Sequence, residues 1–563
     1  MNESVWTLGP DTPEAERLAS ELGIPLPIAR VLINRNITEP ESAQRFLFGS
    51  IGDLHDPFLM AGMAEAVDRI IAAVERGEKI LIFGDYDVDG VLSVVMLHKA
   101  LVTIGAKVDY YIPERLKEGY GIKEAHVAVA TERGALLVIS VDCGIRAAAF
   151  ARRAKEVGLD VIITDHHPPG PELPRALAIL NPTLPGSSYP DRSLAGVGVA
   201  FKLIQALLAR KGKERQIRHY MKLVSIGTIS DVAQLRGENR LFVKFGLREL
   251  EDVSNIGLRS LIEACGLKGK KISEGDVGFR IGPRINAAGR MGLTELAVKL
   301  FFSATEEESA VIVRQLDELN TRRQAAEEKI FKQALDRIKK KELDKNHKIL
   351  ILGCEEWHRG IIGIVASRIK EAFCRPVILF AYDDGRAFGS GRSISEFSLI
   401  NCLEECREYF LTYGGHPLAV GCSLLRESFP DFRKAANGVA DSRITDEQMR
   451  KKIAIDARLG FSEITGSFLD SFALLDPFGV GNPRPVFMTE GAELVGPPQK
   501  LLGRHAKLFL RNGGRTFEAI GWDKGEWVDD LRAGDSVAVA YGLRFSSYQG
   551  EERLSLSLEG LRK

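Results

Sequence analysis

Residues 78 to 165 repeat one pattern: an apolar strand, then an acidic residue, then a helical stretch. "KILIFGDYD" leads into "VLSVVMLHKALVTIG", "ALLVISVDCG" leads into "RAAAFARRAKEVG", and "DVIITDHH" is the third strand. Strands that alternate with helices predict βαβ units, and therefore an α/β protein with a mostly parallel sheet. Because open α/β sheets bind ligands beyond the carboxyl ends of their strands, we expect the three acidic clusters to meet in space.

The side chains at these strand ends, together with a later aspartate, are of the types that hold metal ions. They are Asp85, Asp87 and Asp89 in "GDYDVDG", then Asp142, Asp165, His166 and His167, and finally Asp231 in "KLVSIGTISDVAQL". Alone, each aspartate is typical of a turn or a helix N-cap, and His166 is as typical of a satisfied core position as of a metal ligand. Together, several carboxylates and imidazoles predict a pair of divalent cations, and imidazole favours Mn²⁺ somewhat over Mg²⁺.

Two glycine-containing segments resemble known ligand-binding motifs, an EF-hand and a dinucleotide-binding site, but neither motif fits the sequence. Counted from Asp85 as the first position of an EF-hand loop, the twelfth position is Met96, which has no carboxylate, and "KILIF" is typical of a strand rather than a helix. "GVGVAF" at 196–201 lacks the preceding strand of a dinucleotide-binding site, so we interpret it as glycine packing at a helix start.

The remaining sequence predicts three further regions after a first unit at 1–304, which holds the N-terminal segment and the catalytic domain. Neither glycine nor proline occurs between Leu293 and Leu352, and the apolar spacing there predicts a long connecting helix at 305–345. A second, smaller α/β domain is expected at 346–450. Short alternating strands separated by glycine turns predict an antiparallel β-barrel at 455–563.

Composition narrows the class of protein. The 563 residues allow several domains, and a formal net charge of zero means that nucleic-acid contacts have to come from local patches. Seven cysteines without a C-x-x-C motif favour a reducing, cytoplasmic location without disulfides or a thiolate zinc site. Neither a signal peptide nor an apolar stretch of ~20 residues occurs, so no membrane association is expected.

Four segments resemble the motifs of the DHH phosphoesterases: "GDYDVDG", "SVDCGI", "TDHHPPG" and "GTISDVAQL". The second lobe, with "WHRGIIGIVASRI", "GSGRSI" and "GGHPLAVG", is similar to the DHHA1 substrate domain that accompanies them. "GPRINAAGRMG" and the C-terminal barrel, which is similar to an OB-type domain, resemble the RecJ family of single-strand-specific 5′→3′ exonucleases. The resemblance covers nearly the whole chain and keeps the motifs in the expected order.

This resemblance implies how the ligands are shared between two cations, Mn²⁺ or Mg²⁺. Asp87 and Asp142 would hold one cation. The other would be held by Asp89, Asp142, His166 and Asp231, with Asp142 as the bridging ligand.

The same resemblance implies roles for the other three members of the cluster. His167 would face the scissile phosphate, Asp85 would support the site from outside the ligand shell, and Asp165 would orient the histidines. The nucleophile would be a water molecule activated by the two cations, so no serine or cysteine nucleophile is needed.

The resemblance also implies a substrate path. Its candidate residues are Arg115, Arg284, Asn286, Arg290, Ser390, Arg392 and His416. "GSGRSI" is interpreted as a glycine-rich turn in which the guanidinium of Arg392 forks onto phosphate oxygens. Alone, each of these residues is equally typical of a structural turn or a solvated face.

The barrel segment "GRHAKLFLRNGGR" contains several cations and no acid. The cations expected to contact nucleic acid are Arg504, Lys507, Arg511 and Arg515, and the nearby aromatic residues are Phe509, Phe517, Trp522, Phe545 and Tyr548. Cations beside exposed rings are typical of a single-strand binding surface. At most about half of these rings are expected to stack on bases, because the rest are needed in the core.

The leading hypothesis is a metal-dependent 5′→3′ exonuclease that hydrolyses single-stranded DNA to mononucleotides in DNA repair and recombination. One alternative is a DHH phosphodiesterase for short oligoribonucleotides or cyclic dinucleotides, which the extended barrel disfavours. The other is a non-catalytic scaffold in a replication complex, whose signature would be lost ligands. The resemblance further implies a monomer with a single-stranded-DNA-binding protein and a helicase as partners.

Overall fold

The computed structural model describes residues 4–114, 117–119, 121–548 and 551–563, so the predicted substrate residue Arg115 lies outside the described residues. The expected α/β class is confirmed: a parallel sheet and a mixed sheet, both flanked by helices, are followed by a closed barrel. Within the described ranges, no helix has both the length and the apolar character that crossing a bilayer requires.

The N-terminal segment and the first lobe alternate helices and strands. Their elements are β1 (Val5–Leu8), α1 (Pro13–Leu22), α2 (Leu26–Asn34), α3 (Pro40–Phe48), α4 (Met63–Glu75), β2 (Lys79–Gly84), α5 (Val88–Thr103), β3 (Lys107–Tyr111), α6 (His126–Glu132), β4 (Leu137–Val141), α7 (Ala148–Glu156), β5 (Asp160–Thr164) and β6 (Ala178–Leu180).

The first lobe is built on a parallel sheet in the order β3-β2-β4-β5-β6. β4 is buried along its whole length because helices cover both faces of the sheet. Its sequence is therefore an almost continuous apolar run. After β2 the chain adds β3 on one side of the sheet, whereas after β4 it adds β5 and β6 on the other side. This switch in strand order opens a crevice at their carboxyl ends, directly before Asp85 and Asp142.

Helices complete the first lobe and lead out of it. They are α8 (Gly196–Arg210), α9 (Met221–Ser230), α10 (Gly237–Arg248), α11 (Ile256–Ala264), α12 (Glu274–Asp276), α13 (Gly282–Arg290), α14 (Thr294–Phe302), α15 (Glu306–Lys340) and α16 (Leu343–Asn346), with a π-helical turn at Val277–Ile281 before α13.

Helix α15 is the long connecting helix. The side chain of Thr305 accepts a hydrogen bond from the backbone of Glu308, and the acidic first turn and basic last turn both complement the helix dipole. The first half of α15 buries Ile312 and Leu316 in the core of the first lobe, while the second half buries Ile330 and Ile338 in the core of the second lobe. One helix therefore fixes the two lobes relative to each other.

The second lobe contains a five-stranded mixed sheet in the order β10-β11-β9-β8-β7. Its elements are β7 (Leu350–Cys354), α17 (Ile362–Phe373), β8 (Val377–Asp383), β9 (Arg386–Arg392), α18 (Leu399–Glu405), β10 (Phe410–His416), β11 (Ala419–Leu425) and α19 (Phe429–Arg443).

The interpretation of "GSGRSI" as a glycine-rich turn is wrong, because its first four residues complete the central strand β9. The glycines serve packing against neighbouring strands instead. A Cβ on Gly389 would lie 2.6 Å from the ring of Phe380, and one on Gly391 would lie 2.7 Å from the side chain of Val420.

The C-terminal region is a barrel closed by pairing of β14 with both β16 and β18. Its elements are β12 (Lys452–Ile455), β13 (Ala457–Arg458), α20 (Gly466–Ala473), β14 (Phe487–Leu494), β15 (Gln499–Leu501), β16 (His505–Asn512), β17 (Arg515–Gly521), α21 (Trp527–Asp530), β18 (Ser536–Tyr548) and β19 (Glu551–Arg562).

The N-terminal helices pack on this barrel, although the sequence interpretation grouped residues 1–304 into one unit. Leu18, Ile28 and Leu47 share a continuous apolar core with barrel residues such as Phe461 and Leu510. Strand β1 also pairs in parallel with β12. We call the barrel at 455–563 together with α1–α3 the barrel unit.

Candidate metal centre and phosphate pocket

Three groups of ligand-type side chains lie at the carboxyl edge of the parallel sheet. In each group, one ligand atom per residue lies within 4.8 Å of the others, and the groups are Asp85-Asp87-Asp142, Asp142-His166-His167 and Asp89-His166-Asp231. Asp142 and His166 each belong to two groups. The three strand-end clusters predicted to converge do so, Asp231 joins them, and Asp142 lies between the "GDYDVDG" aspartates and the histidines.

Helix starts hold the aspartates of "GDYDVDG". Asp87 is the N-cap of α5, and its carboxylate accepts a hydrogen bond of 3.1 Å from the backbone of Gly90. The buried carboxylate of Asp89 accepts hydrogen bonds from the backbone of Gly196, at 2.8 Å, and of Val197, both at the start of α8. "GVGVAF" does begin a helix, as expected, but sequence reasoning missed that its amides bind Asp89.

Asp142 adopts the left-handed backbone conformation, with φ of 58°, directly after β4. Its carboxylate lies against the start of α8, where a Cβ on Gly196 would be 2.5 Å from the Asp142 Oδ1 atom. Nε2 of His166 lies 3.2 Å from this same oxygen, while Nδ1 of His166 lies 4.0 Å from Asp231. Glycine at 196 is therefore required for Asp142 to occupy the centre of the cluster.

Asp165 organises the "DHH" turn. Its Oδ1 accepts backbone hydrogen bonds from His166, at 2.8 Å, and His167, at 3.0 Å, and lies 2.7 Å from Nδ1 of the His167 ring. Its Oδ2 accepts a hydrogen bond of 2.9 Å from the backbone of Ile145. These contacts orient the ring of His167, whose side chain is 35% exposed.

Burial gives the cluster unusual acid–base properties. Burial, reinforced by the charge of Asp231, raises the pKa of Asp89 to about 8, and burial together with Asp87 raises that of Asp231 to about 7. Burial and the charge of Asp89 also raise the pKa of Asp142 well above its usual value. Packed carboxylates of this kind are all ionised together only when positive charge lies between them, and oxygen and imidazole ligands fit two divalent cations.

Helix α13 lies along the edge of this centre, and it carries three predicted substrate residues with other partners. The side chain of Asn286 accepts a hydrogen bond of 3.2 Å from the backbone of Val88. Arg284 pairs with Asp317 on α15 at 2.9 Å. Arg290 donates to the backbone carbonyl of Gly360 in the second lobe, at 2.9 Å.

The predicted phosphate residues meet at the start of α17. A Cβ on Gly363, in the first turn of this helix, would lie 2.8 Å from Oγ of Ser390 and 3.5 Å from the guanidinium of Arg392. Burial lowers the pKa of Arg392, and among the described residues no carboxylate forms an ion pair with it. Backbone amides of the helix start, a hydroxyl and a guanidinium suit a phosphate group.

His416 lies apart from these elements, exposed at the end of β10 where the chain turns into β11. It pairs in register with Ala419, and Ala419 pairs with Arg392 of β9. The register thus places His416 two strands away from Arg392 at the same end of the sheet.

The four predicted cations of the barrel lie beside acids or carbonyls of neighbouring segments. The pairs are Lys507–Glu518 and Arg511–Glu493, both at 2.9 Å, Arg504–Asp523 at 3.7 Å, and Arg515 with the carbonyl of Ile464. The absence of acids within "GRHAKLFLRNGGR" therefore does not leave an unneutralised surface, because adjacent strands supply them. Exposed pairs of this kind are weak and leave the cations available to phosphates.

The barrel aromatics divide between surface and core. Phe509, Trp522 and Phe545 are 36%, 41% and 44% exposed, whereas Phe517 is 8% exposed. The side chain of Tyr548 lies outside the described residues. Phe509 lies between Lys507 and Arg511 on the outer face of β16, which is the alternation of rings and cations that single strands bind.

Three known family models match most of the chain. The DHH family, N-terminal domain, matches residues 79–228, the DHHA1 domain matches residues 346–442, and the RecJ OB domain matches residues 455–560. These ranges contain the strand-end aspartates and histidines, the phosphate residues and the barrel, respectively.

Full-length relatives decide the assignment. The single-stranded-DNA-specific exonuclease RecJ of Bacillus subtilis is 39% identical over 98% of this chain and 70% of its own length. The enzyme of the same name from Escherichia coli is 32% identical over 100% of both chains. The chain belongs to the RecJ family.

Solved RecJ structures agree with this assignment. The crystal structure of RecJ in complex with Mn²⁺ from Thermus thermophilus has a TM-score of 0.85 and 33% identity, covering 100% of this chain and 80% of that chain. The RecJ complex with Mg²⁺ from the same organism has a TM-score of 0.79 and 31% identity, covering 100% and 78%.

Proposed function

We propose that this chain is a metal-dependent exonuclease that hydrolyses single-stranded DNA from its 5′ end. The carrying observation is the convergence of the four strand-end and loop segments into one buried cluster of carboxylates and imidazoles. Membership of the RecJ family, whose relatives are named single-stranded-DNA-specific exonucleases, supports the substrate. The cofactors are divalent cations, Mn²⁺ or Mg²⁺, for which the donor atoms of the cluster are suited.

The proposed ligands are Asp87, Asp89, Asp142, His166 and Asp231, and Asp85 lies close enough to join them. When bound, two cations supply a water nucleophile of lowered pKa and neutralise charge on the scissile phosphate. The chain itself holds the ligands in place through the amides of α5 and α8. Asp165 holds His167 by the contact with its Nδ1, and this ring is proposed to face the scissile phosphate.

The polarity of cleavage is proposed to come from the second lobe. Tyr86, next to Asp85, is in close contact with Gly289 of α13, Arg290 binds Gly360, and Gly360 leads into α17 with its phosphate pocket. This chain of contacts connects the metal centre and the pocket across the cleft between the lobes. A 5′-terminal phosphate bound by Ser390 and Arg392 would place the first phosphodiester bonds near the metals.

The barrel unit is proposed to bind the strand beyond the cleft through Phe509 and its neighbouring cations. This extended surface favours polymeric substrates over dinucleotides. A single-stranded-DNA-binding protein and a helicase are proposed as partners of a monomeric enzyme, on the family resemblance alone.

The proposal is tested with single-stranded DNA that carries a label at the 5′ or the 3′ end. With Mn²⁺, we expect the 5′ label to be released at once as a mononucleotide, while the 3′ label stays on progressively shorter fragments. A chelator should stop both. Early release of the 3′ label, or cleavage in the presence of chelator, would reject the proposed activity.

A further inference from the structure

The loop that follows Asp231 is bound by the barrel unit rather than by the first lobe alone. The backbone of Leu235 donates a hydrogen bond of 2.7 Å to the carbonyl of Val480, and Arg236 donates one of 3.2 Å to the carbonyl of Gly481. The side chain of Leu235 also packs closely against Gly479, because a Cβ on Gly479 would lie 2.7 Å from it. Residues 479–482 thus lie directly on the loop only a few residues from Asp231.

Arg240, on α10 just beyond this loop, anchors the same contact. Its side chain is buried, and its guanidinium lies 3.7 Å from the ring of Phe46 in α3. It donates hydrogen bonds of 2.7–3.2 Å to five backbone carbonyls of the barrel unit, those of Phe46, Leu474, Leu475, Asp476 and Pro477. A buried charge satisfied by five carbonyls fixes the position of α10 against the barrel unit, because any shift would leave donors unpaired.

The backbone next to Asp231 needs such support. Val232 has a φ of 61°, a conformation that is costly for a β-branched residue and that persists only where surrounding contacts impose it. From the other side, the amide of Asn239 donates to the carbonyls of Gln234, at 3.1 Å, and of Ser193, at 2.6 Å. The loop is therefore held between the first lobe and the barrel unit.

We propose that the barrel unit is a positioning element for Asp231: docking of residues 474–482 against Leu235, Arg236 and Arg240 sets the affinity of the metal centre. The inference rests on the proposed role of Asp231 as a metal ligand. A ligand must be held within about 0.5 Å of its productive position, and contacts that orient metal ligands typically change metal affinity by about 10–100-fold. The barrel would then influence catalysis in the absence of any contact with DNA.

The test measures Mn²⁺ binding to the full chain by titration calorimetry and electron paramagnetic resonance, without DNA. Gly479→Val should press on Leu235, and Arg236→Gln should remove the contact with Gly481. Each variant is expected to bind one of two Mn²⁺ ions about 10-fold more weakly. The value of kcat should fall at low Mn²⁺ and recover at high Mn²⁺, while KM for single-stranded DNA stays the same.

Arg458→Gln is the control within the barrel unit, because it breaks a 2.9 Å ion pair with Glu490 that involves neither residues 474–482 nor residues 231–240. Its Mn²⁺ affinity should equal that of the wild type. An equal loss in this control, or a raised KM with unchanged Mn²⁺ affinity in the two test variants, would overturn the inference. Asp231→Asn distinguishes the ligand assignment from the positioning role. If this variant binds Mn²⁺ like the wild type, the assignment of Asp231 as a ligand fails. If it binds Mn²⁺ more weakly while Gly479→Val binds normally, only the positioning role is refuted.

Discussion

Asp142 has a left-handed backbone and a buried carboxylate, and its Oδ1 has room only because residue 196 is a glycine. Its Oδ1 lies 3.2 Å from His166, and the same residue is grouped with the "GDYDVDG" aspartates. The proposed bridging position accounts for such strain and charge in one place, since functional sites are where local conformational cost accumulates.

Replacing this carboxylate by its uncharged isostere tests the assignment. In Asp142→Asn, we expect kcat to fall by more than about 100-fold, beyond the effect of losing a supporting contact to a ligand. The affinity for single-stranded DNA, measured without metal, should change little because the second lobe and the barrel still bind the strand. Near-normal turnover would be incompatible with a bridging role.

Arg392 provides a second test at this scale. In Arg392→Ala, the loss of a charge-assisted hydrogen bond of about 1.5–3 kcal/mol should lower kcat/KM on 5′-phosphorylated DNA by roughly 10- to 150-fold. The effect on DNA with a 5′-hydroxyl end should be much smaller, and rates on the two substrates should become similar. An equal reduction on both substrates would remove the terminal-phosphate pocket from the mechanism.

At the scale of elements, α13 connects the proposed metal centre with the proposed phosphate pocket. Asn286 binds the loop that carries the proposed metal ligands, Gly289 allows the backbone of Tyr86 to approach, and Arg290 reaches into the second lobe. These residues lie in a segment predicted to line the DNA path. A role in the DNA path stays a prediction. Their contacts in the structure hold protein segments together, so the helix connects the proposed metal loop with the proposed phosphate pocket.

Crowding this contact should disturb catalysis without touching a ligand. A Cβ at Gly289 would lie 2.3 Å from the carbonyl of Tyr86, so Gly289→Ala must displace backbone. We expect a loss of about 1–3 kcal/mol in the free energy of unfolding and a lower kcat. Gly278→Ala is the control, because the nearest atom to its Cβ would be 3.8 Å away. Equal behaviour of the two variants in denaturant titrations and kinetics would contradict this account.

The elements differ in how far sequence predicts them. β2, β4 and β5 are predictable because each is an apolar run followed by an acid, and β2 and β4 are also followed by helices; parallel strands bring those acids to one edge. The amides that hold Asp89 are not, because they come from α8, which lies far along the chain. "GSGRSI" misleads because glycine serves tight packing between strands as well as turns. Periodicity also shows that α1–α3 have apolar faces, but not which core receives them.

The whole molecule consists of two lobes joined by α15 and a barrel unit assembled from both ends of the chain. Apolar side chains of α1–α3 lie in the barrel core, and Arg240 is buried by carbonyls from residues 46 and 474–477. The barrel is therefore part of the folded body, although its sequence is typical of a separable domain.

Removing the barrel tests whether α1–α3 depend on it for their stability. A chain that ends at residue 450 should lose amide protection first at 13–48, since each large apolar side chain left without its barrel partners forfeits about 1.5–3 kcal/mol. Hydrogen exchange followed by mass spectrometry would measure it, with protection in the second lobe at 346–442 as the internal control. Full protection of 13–48 in the truncated chain would mean that these helices fold without the barrel.

The pairing of β1 with β12 and the shared core of the barrel unit also bear on how the chain is made. Synthesis proceeds from the N-terminus, so α1–α3 leave the ribosome roughly 400 residues before their partners exist. At about 5–20 residues per second, the delay is on the order of 20–80 s. During that interval the apolar faces of these helices lack their native partners in the barrel core, and we expect a nascent chain in this state to bind a holding chaperone.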